Sequence, residues 1–189
     1  MAFPDLQSFL RHCEARGDLA RVGVEVDPRY EITEIVSRVV RAAGPALWFE
    51  RVKGSRFPVV ANVLGSNRRC EWVFGRPPES IGEELLATAE KLMPPSPKAL
   101  WSTRSTLLGV RHFRVRRSRS PSGAPTADGL SLDDLPILTC WPEDGGPFVT
   151  FPLVITAHPE TGSRNVGTYR MHVYDGARAG MHWQIMKGG

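Results

Sequence analysis

The segment EITEIVSRVVR, residues 31–41, decides the first part of the fold. Its apolar residues recur at helical spacing and form one stripe, while its charged residues lie largely off that stripe. The stripe consists of Ile32, Ile35, Val36, Val39 and Val40. Gly44-Pro45 ends the helix. Two short apolar runs follow, residues 46–49 and 58–64, so we expect the helix to pack on a sheet as an α/β layer.

Other helices are predicted on both sides of this segment. Apolar residues within 6–13 follow the i, i+3, i+4, i+7 spacing and predict an opening helix. A short helix is predicted over residues 67–74 and a longer one after Pro78. Three prolines within residues 94–97 then interrupt the chain.

The composition changes in the second half of the chain. Residues 104–129 are rich in Arg, Ser, Pro and Gly, which indicates a crossover between domains. Beyond it, apolar runs separated by glycine-containing turns predict an antiparallel meander. The runs are residues 135–141, 148–157, 166–174 and 181–186. We therefore expect an α+β fold, with an α/β domain over residues 1–114 and a β domain over residues 115–189.

Composition bounds the class of protein. A chain of 189 residues with 41% hydrophobic residues can form a folded core. The first 17 residues carry four charged side chains, and no apolar run approaches the ~18 residues of a membrane span, so we expect a cytoplasmic protein.

Three widely spaced cysteines indicate reduced thiols. The net charge of +4 favours anionic ligands such as phosphates, carboxylates or nucleic acid.

The densest group of polar side chains lies within residues 165–189. It supplies an amide, an imidazole, a guanidinium and an ammonium from Asn165, His182, Arg170 and Lys187. Such groups can hold a phosphate and a hard divalent ion together. Taken singly, each also has a structural explanation. Asn165 suits a turn, His182 can pack or lie at the surface, and the two cationic side chains can be solvated.

Two ordered blocks of sequence run along nearly the whole chain. The first comprises FERVKG at 49–54, PVVANVLGS at 58–66 and Arg69. The second comprises LPIL at 135–138, WP at 141–142, DGG at 144–146, FVT at 148–150, NVGTYR at 165–170 and MHWQ at 181–184. In this succession the chain resembles the UbiD-type decarboxylases, and the first block is similar to their amino-terminal α/β domain.

The resemblance implies the first strands of a flavin-reductase-like split β-barrel, beginning near residue 115 and truncated here. It also implies prenylated flavin mononucleotide (prenylated FMN) anchored through a divalent metal. Mn²⁺ is the expected metal, and K⁺ is a candidate second cation. Asn165 and His182 would be the metal ligands. The implied cofactor-binding residues are Thr168, Tyr169, Arg170, His182, Trp183, Gln184, Lys187 and Gly188, with Lys187 as the phosphate partner.

The implied reaction is reversible, non-oxidative decarboxylation of aromatic or α,β-unsaturated carboxylic acids. Arg170 would be catalytic by holding the substrate carboxylate, and a Glu or Asp would deliver the proton. In the family, that acid and the third metal ligand lie beyond the position where this sequence ends, so we expect an inactive amino-terminal fragment. The acids in turn-like segments are expected to be solvated instead. They are Glu143, Asp144, Glu160 and Asp175.

Two features depart from the family pattern or from simple strand geometry. Met186 stands where many relatives carry a histidine. Asn165 and Arg170 are five residues apart, so an unbroken strand would point them to opposite faces. Either a bulge or a position of Asn165 before the strand is therefore expected.

Two alternatives belong to other functional classes. The chain can be a non-catalytic, flavin-binding or accessory subunit that completes a split decarboxylase with a complementary polypeptide. It can also bind nucleic acid through the arginines within residues 111–119. The second alternative is disfavoured because only Phe113 is interleaved there and no nucleic-acid motif accompanies it. The resemblance further implies homo-oligomers, with a small carboxylic acid as the partner molecule.

Overall fold

The structure is a computed structural model that describes residues 3–94, 96–109 and 129–184. These residues form two compact units. One unit combines residues 7–65 with 129–184, and the other combines residues 3–6 with those from 66 to 109. The arginines within 111–119 lie outside the described residues, as does position 114, so the domain division made there stays a prediction.

The larger unit contains a parallel pair of strands joined by a helix. Helix α1 (Leu6–Ala15) precedes a three-stranded sheet of order β1-β2-β3. β1 (Leu19–Val26) and β2 (Ala46–Val52) run parallel, and α2 (Glu31–Arg41) connects them. Parallel neighbours need a crossover connection, which this helix supplies. β3 (Val59–Ala61) pairs antiparallel with β2.

The predicted stripe of α2 covers the core of this sheet. Ile32 is fully buried, and most of the remaining stripe packs around it. The buried core consists of Val26, Ile32, Leu47, Phe49 and Val52. Val39 packs against this core, whereas Val40 is 49% exposed. Successive helical residues are about 100° apart, so Val40 lies at the margin of the stripe.

Strand β1 was not among the predicted elements, although its sequence carries a strand signal. Ala20, Val22, Val24 and Val26 alternate with other residues in LARVGVEV. Ala20 and Val22 pack against the core and Val26 is buried, but Val24 is 65% exposed. The register with β2 shifts between Val22 and Glu25. This irregularity takes Val24 out of the alternation.

The smaller unit is helical among its described residues. α3 (Asn67–Phe74) and α4 (Pro78–Lys91) confirm the predicted helices. α5 (Pro97–Ser102) and α6 (Arg104–Gly109) follow where the sequence predicts only a proline break. The Ser96 side chain accepts a backbone N–H bond, and Pro97 stands at the first turn, so these residues begin a helix as well as interrupt one.

The strands of the second half form two antiparallel sheets rather than one meander. They are β4 (Phe148–Val149), β5 (Leu153–Ala157), β6 (Arg164–Thr168), β7 (Met171–Asp175) and β8 (Arg178–Met181). One sheet has the order β4-β7-β8, and the other pairs β5 with β6. The runs 148–157 and 166–174, each predicted as a single strand, are therefore each divided between two sheets. Pro152 lies in the first break, and proline cannot donate to a strand ladder.

Residues 135–141 connect the two parts of the larger unit without forming the predicted strand. Leu138 packs against the buried core, and Thr139 makes an isolated parallel bridge with Arg29. The backbone N–H of Tyr30 donates to the carbonyl oxygen of Thr139 at 2.9 Å. Leu138 also bridges to Phe148. This segment thus ties the α/β layer to the start of the β4-β7-β8 sheet.

These elements confirm the predicted α+β fold class. Among the described residues, the two sheets of the second half do not close into a barrel. In the same residues, no helix combines the length and apolarity needed to cross a bilayer.

Ile32→Ala tests the importance of the α2 contact. We expect a loss of about 2–5 kcal/mol in the free energy of unfolding, because truncation leaves a cavity beneath the helix. Urea unfolding followed by circular dichroism measures this loss. Val40→Ala, on the same helix but half exposed, serves as the control and should cost less than about 1 kcal/mol. Equal losses in the two variants would contradict this assignment of the core.

Candidate active site

The chain changes sheets at Tyr169 and Arg170. β6 ends at Thr168 and β7 begins at Met171, so two residues separate strands of different sheets. Asn165 lies within β6. The face conflict expected for Asn165 and Arg170 therefore does not arise. The strand ends between them, and neither a bulge nor a position of Asn165 before the strand is needed.

The closing motif lies beside this break. The His182 backbone N–H donates to the Arg170 carbonyl oxygen at 2.9 Å, which extends the β7–β8 ladder by one position. One residue further, the Tyr169 and Trp183 rings approach to 5.8 Å between centroids at an interplanar angle of 50°. Tertiary pairing thus brings the two polar motifs of the sequence together.

Asn165 and Tyr169 form the centre of this arrangement. The Asn165 side-chain amide donates to the Tyr169 hydroxyl at 3.2 Å. Tyr169 is only 4% exposed. A Cβ added at Gly167 would lie 2.7 Å from the Tyr169 ring, which is closer than real contacts allow. Gly167 therefore provides the space in which the ring reaches Asn165.

A cavity of about 480 Å³ opens beside Asn165. The lining residues come from the β5–β6 hairpin and from Trp183. They are Thr156, Ala157, His158, Pro159, Ser163, Arg164, Asn165 and Trp183. This volume lies within the range of small-molecule and cofactor sites, about 300–1,000 Å³. The described lining includes polar, cationic and aromatic groups but contains neither Asp nor Glu.

The other predicted site residues lie outside the described cavity lining. Thr168 is exposed and alternates with half-buried Asn165 along β6, so the two side chains lie on opposite faces. His182 and Gln184 are also exposed. Lys187 and Gly188 lie outside the described residues, as does Met186. In the part of the chain that the structure describes, no three His, Cys, Asp or Glu side chains cluster as a metal site.

Arg170 forms a two-pronged ion pair with Asp144. Its Nη1 donates to Oδ1 at 3.0 Å and its Nη2 donates to Oδ2 at 2.5 Å. The Asp144 side chain is 14% exposed and that of Arg170 is 35% exposed. The expectation of a solvated Asp144 is therefore wrong. The turn that contains Asp144 folds back onto the residue that precedes β7, and sequence spacing alone does not reveal that contact.

Aromatic and glycine residues support this pair. The Arg170 guanidinium carbon lies 3.8 Å from the centroid of the Phe148 ring, and Phe148 stacks on His172 at 4.5 Å. A Cβ added at Gly145 or Gly146 would lie 3.2 Å or 2.9 Å from the His172 ring. The glycines therefore allow the DGG turn to approach this ring closely.

The ion pair shifts both titrations. Hydrogen bonding from Arg170 lowers the pKa of Asp144, assisted by the positive charge and opposed by desolvation. Asp144 raises the pKa of Arg170, again chiefly through the hydrogen bond, and Cys140 contributes further. Asp144 is therefore a carboxylate at neutral pH.

Neither His158 nor Phe148 was among the predicted site residues. His158 lines the cavity, and its Nδ1 accepts the backbone N–H groups of Glu160 and Thr161 at 3.2 and 3.3 Å. With Nδ1 as acceptor, the neutral ring carries its proton on Nε2. The sequence signal that could have indicated His158 is its position shortly before the Glu160-Thr161-Gly162 turn. No local pattern indicates that Phe148 lies against Arg170.

Two family models match the chain. Residues 10–89 match the 3-octaprenyl-4-hydroxybenzoate carboxy-lyase N-terminal domain. Residues 114–189 match the 3-octaprenyl-4-hydroxybenzoate carboxy-lyase Rift-related domain. Both halves of the chain therefore match models of the same family.

Similar proteins have related names. A Chlamydia pneumoniae protein named as a subunit of 4-hydroxybenzoate decarboxylase is 38% identical over 96% of this chain and 32% of its own length. An evolved dimeric form of the UbiD-class enzyme HmfF from Pelotomaculum thermopropionicum, solved with prFMN, gives a TM-score of 0.73 at 30% identity. That match covers 95% of this chain and 38% of HmfF.

Vanillic acid decarboxylase from Sedimentibacter hydroxybenzoicus, in its closed form, also gives a TM-score of 0.73, at 28% identity. The match covers 98% of this chain and 38% of that one. The chain spans between 32% and 40% of the length of the curated relatives it matches. The similarity is therefore to one part of longer proteins.

Gly167→Ala tests the close contact with Tyr169. The added methyl group should displace the ring, weaken its hydrogen bond with Asn165 and cost about 1–3 kcal/mol through overpacking. Nuclear Overhauser effects between the Tyr169 and Trp183 rings should weaken in parallel. Val166→Ala, on the exposed face of the same strand, should leave them unchanged. Undiminished ring contacts in Gly167→Ala would contradict the packing described.

The Asp144–Arg170 pair should make stability depend on pH. Folding lowers the Asp144 pKa from its ordinary 3.8, so the stabilisation is present above that value and is lost as pH falls through the folded-state pKa. Asp144→Asn should therefore be less stable than the wild type at about pH 7, and the difference should shrink below about pH 4. Urea midpoints across this range measure it. Glu143→Gln, the exposed neighbour, is the control; a pH-independent Asp144→Asn difference would refute the assignment.

Proposed function

Because this chain belongs to the UbiD-type carboxy-lyase family, we propose that it forms the amino-terminal part of a prenylated-FMN-dependent decarboxylase. The proposed reaction is reversible, non-oxidative decarboxylation of an aromatic or α,β-unsaturated carboxylic acid. The observation that carries the proposal is the cavity at Asn165, which adjoins the Tyr169–Arg170 break through the Asn165–Tyr169 hydrogen bond. It combines a volume suited to a cofactor with polar and aromatic groups.

The residues around the cavity fit part of a flavin nucleotide. Trp183 offers an aromatic surface to a ring system, and the Tyr169 ring contacts it at an angle of 50°. Arg164 contributes a positive charge to the lining. When bound, the prenylated flavin supplies the electron sink for loss of the carboxylate. The chain's own residues hold the ring, fix its orientation and exclude water from one side.

Asn165 and His182 are the proposed ligands of a divalent metal, with Mn²⁺ as the proposed ion. The Asn165 amide nitrogen donates to Tyr169, so Oδ1 is the amide atom suited to coordinate a cation. An imidazole and an amide oxygen form a donor set that Mn²⁺ accepts. The described cavity lining contains no carboxylate, so the third ligand would come from outside it. K⁺ remains a secondary proposal.

Arg170 is the proposed binding group for the substrate carboxylate. A guanidinium can hold a carboxylate through two parallel hydrogen bonds, which orients the bond that breaks. Thr168, Gln184, Lys187 and Gly188 are proposed as additional cofactor contacts. Lys187 would neutralise the phosphate as a point charge.

The described cavity lining offers no general acid, which limits what this chain is expected to do alone. Protonation after loss of CO₂ needs an acid close to the reacting carbon. The described cavity has no Asp or Glu lining it, and Asp144 is held as a carboxylate by Arg170. We therefore expect cofactor binding without turnover by this chain.

A second candidate function is that of a non-catalytic subunit in a split decarboxylase. The similarity to a protein named as a decarboxylase subunit favours it. In either case catalysis requires an acidic group from outside the described cavity lining. Homo-oligomerisation and a cytoplasmic location complete the proposal.

Flavin binding and turnover test this proposal separately. The purified chain, mixed with prenylated FMN and Mn²⁺, should retain the flavin on a desalting column and shift its visible spectrum. Asn165→Ala should weaken binding roughly tenfold by removing a metal ligand and the partner of Tyr169. Leu153→Ala, on the exposed face of the hairpin, should bind like the wild type.

Supplied with cinnamic or 4-hydroxybenzoic acid, the same complex should release no CO₂. Absence of flavin binding by the wild type would overturn the proposed function. CO₂ release by the chain alone would instead overturn the claim that the acid must come from outside it.

A further inference from the structure

Arg170 is held at both its backbone and its side chain. Its carbonyl oxygen accepts the His182 backbone N–H at 2.9 Å, immediately before β7 begins. The side chain spans from this position to the DGG turn, where Asp144 meets the guanidinium. The anchored backbone and the ion pair fix the two ends of the side chain.

The ion pair uses one particular edge of the guanidinium. Both terminal nitrogens, Nη1 and Nη2, donate to separate oxygens of Asp144 at 3.0 and 2.5 Å. Such a two-pronged contact defines the plane of the guanidinium as well as its position. A guanidinium has a second edge able to bind a carboxylate, formed by Nε and Nη2, and Asp144 makes no hydrogen bond to Nε.

Phe148 constrains the face of the same group. Its ring centroid lies 3.8 Å from the Arg170 guanidinium carbon, a cation–π distance. The ring stacks in turn on His172 at 4.5 Å with an interplanar angle of 15°. Rotation of the guanidinium would break both the contact with this ring and the pair with Asp144.

Cys140 is a further neighbour of this guanidinium and contributes to its raised pKa. Its thiol is a weak acceptor compared with a carboxylate, so it constrains the guanidinium less than Asp144 does. The strong constraint on Arg170 therefore comes from Asp144 and Phe148.

We propose that Asp144 is a positioning residue, which occupies the Nη1/Nη2 edge of Arg170 and presents the Nε edge to the substrate carboxylate. The proposal deepens the proposed function and rests on it for the identity of the external carboxylate. Without Asp144, the long arginine side chain would sample several orientations, and less of its population would be aligned for binding.

Arginine side-chain NMR on the ¹⁵N-labelled chain tests the positioning directly. The Arg170 signals are assigned from their loss in Arg170→Lys. In the wild type, rotation about the Nε–Cζ bond should be slow, because it breaks two hydrogen bonds at once. Asp144→Asn should accelerate it roughly tenfold, since a neutral amide offers only one acceptor oxygen.

Asp144→Glu should restore much of the restraint, which separates loss of the carboxylate from a general disturbance of the turn. Asp175→Asn is the matched control, since it removes the ion pair of Arg178 and should leave the Arg170 signals unchanged. Backbone amide spectra verify that each variant is folded. Equal rotation rates for Arg170 in the wild type and in folded Asp144→Asn would overturn the proposal.

Titration with benzoate tests which edge is presented. Benzoate should shift the Arg170 Nε–Hε signal of the wild type and bind several-fold more weakly to Asp144→Asn. Displacement of Asp144, seen as a shift of the Nη signals with Nε unchanged, would overturn the edge assignment. If benzoate moves no Arg170 signal, Arg170 does not bind the substrate carboxylate, and Nε is not presented to it. The rotation rates would still decide separately whether Asp144 holds Arg170 in place.

Discussion

The parallel pairing of β1 with β2 under α2 is the constraint on which the rest of the larger unit depends. It creates the buried core around Ile32 and Phe49, against which Leu138 packs. Leu138 in turn bridges to Phe148, which begins the β4-β7-β8 sheet. The position of Arg170 therefore follows from a hydrophobic core built by residues more than a hundred positions earlier in the chain. Burial of apolar surface supplies the main driving force for that assembly.

Arg170 and the cavity beside Asn165 differ in how many of the interactions they need are supplied by the described residues. Arg170 already has a carboxylate, an aromatic face and a backbone anchor, so its geometry is formed in advance. Preorganisation of this kind reduces the conformational entropy that the Arg170 side chain loses when it binds a ligand. The cavity beside Asn165 has polar and aromatic walls, but none of its described lining residues is a carboxylate. The described residues thus hold Arg170 in a fixed geometry and line the cavity without a carboxylate.

Several features were predictable because they depend on local spacing. The helical stripe of α2, the bounds of α3 and the glycine turns follow from residue periodicity and backbone preference. The ordered motifs also identified the family. Strand β1 was predictable in principle from its alternation, although a register shift interrupts it. Pro152 marked one division between strands. No comparable residue marks the end of β6 at Thr168.

By itself, the sequence determined the α+β class, the family and the residue types available for chemistry. The tertiary structure alone decided which of them meet. Asp144 and Arg170 are 26 positions apart, and their pairing depends on how two sheets diverge at Tyr169–Arg170. Tertiary pairing likewise put Trp183 against Tyr169 and brought the hairpin histidine, His158, into the cavity. Local spacing fixes the direction of side chains only within one continuous element, because a change of sheet resets which face each residue occupies.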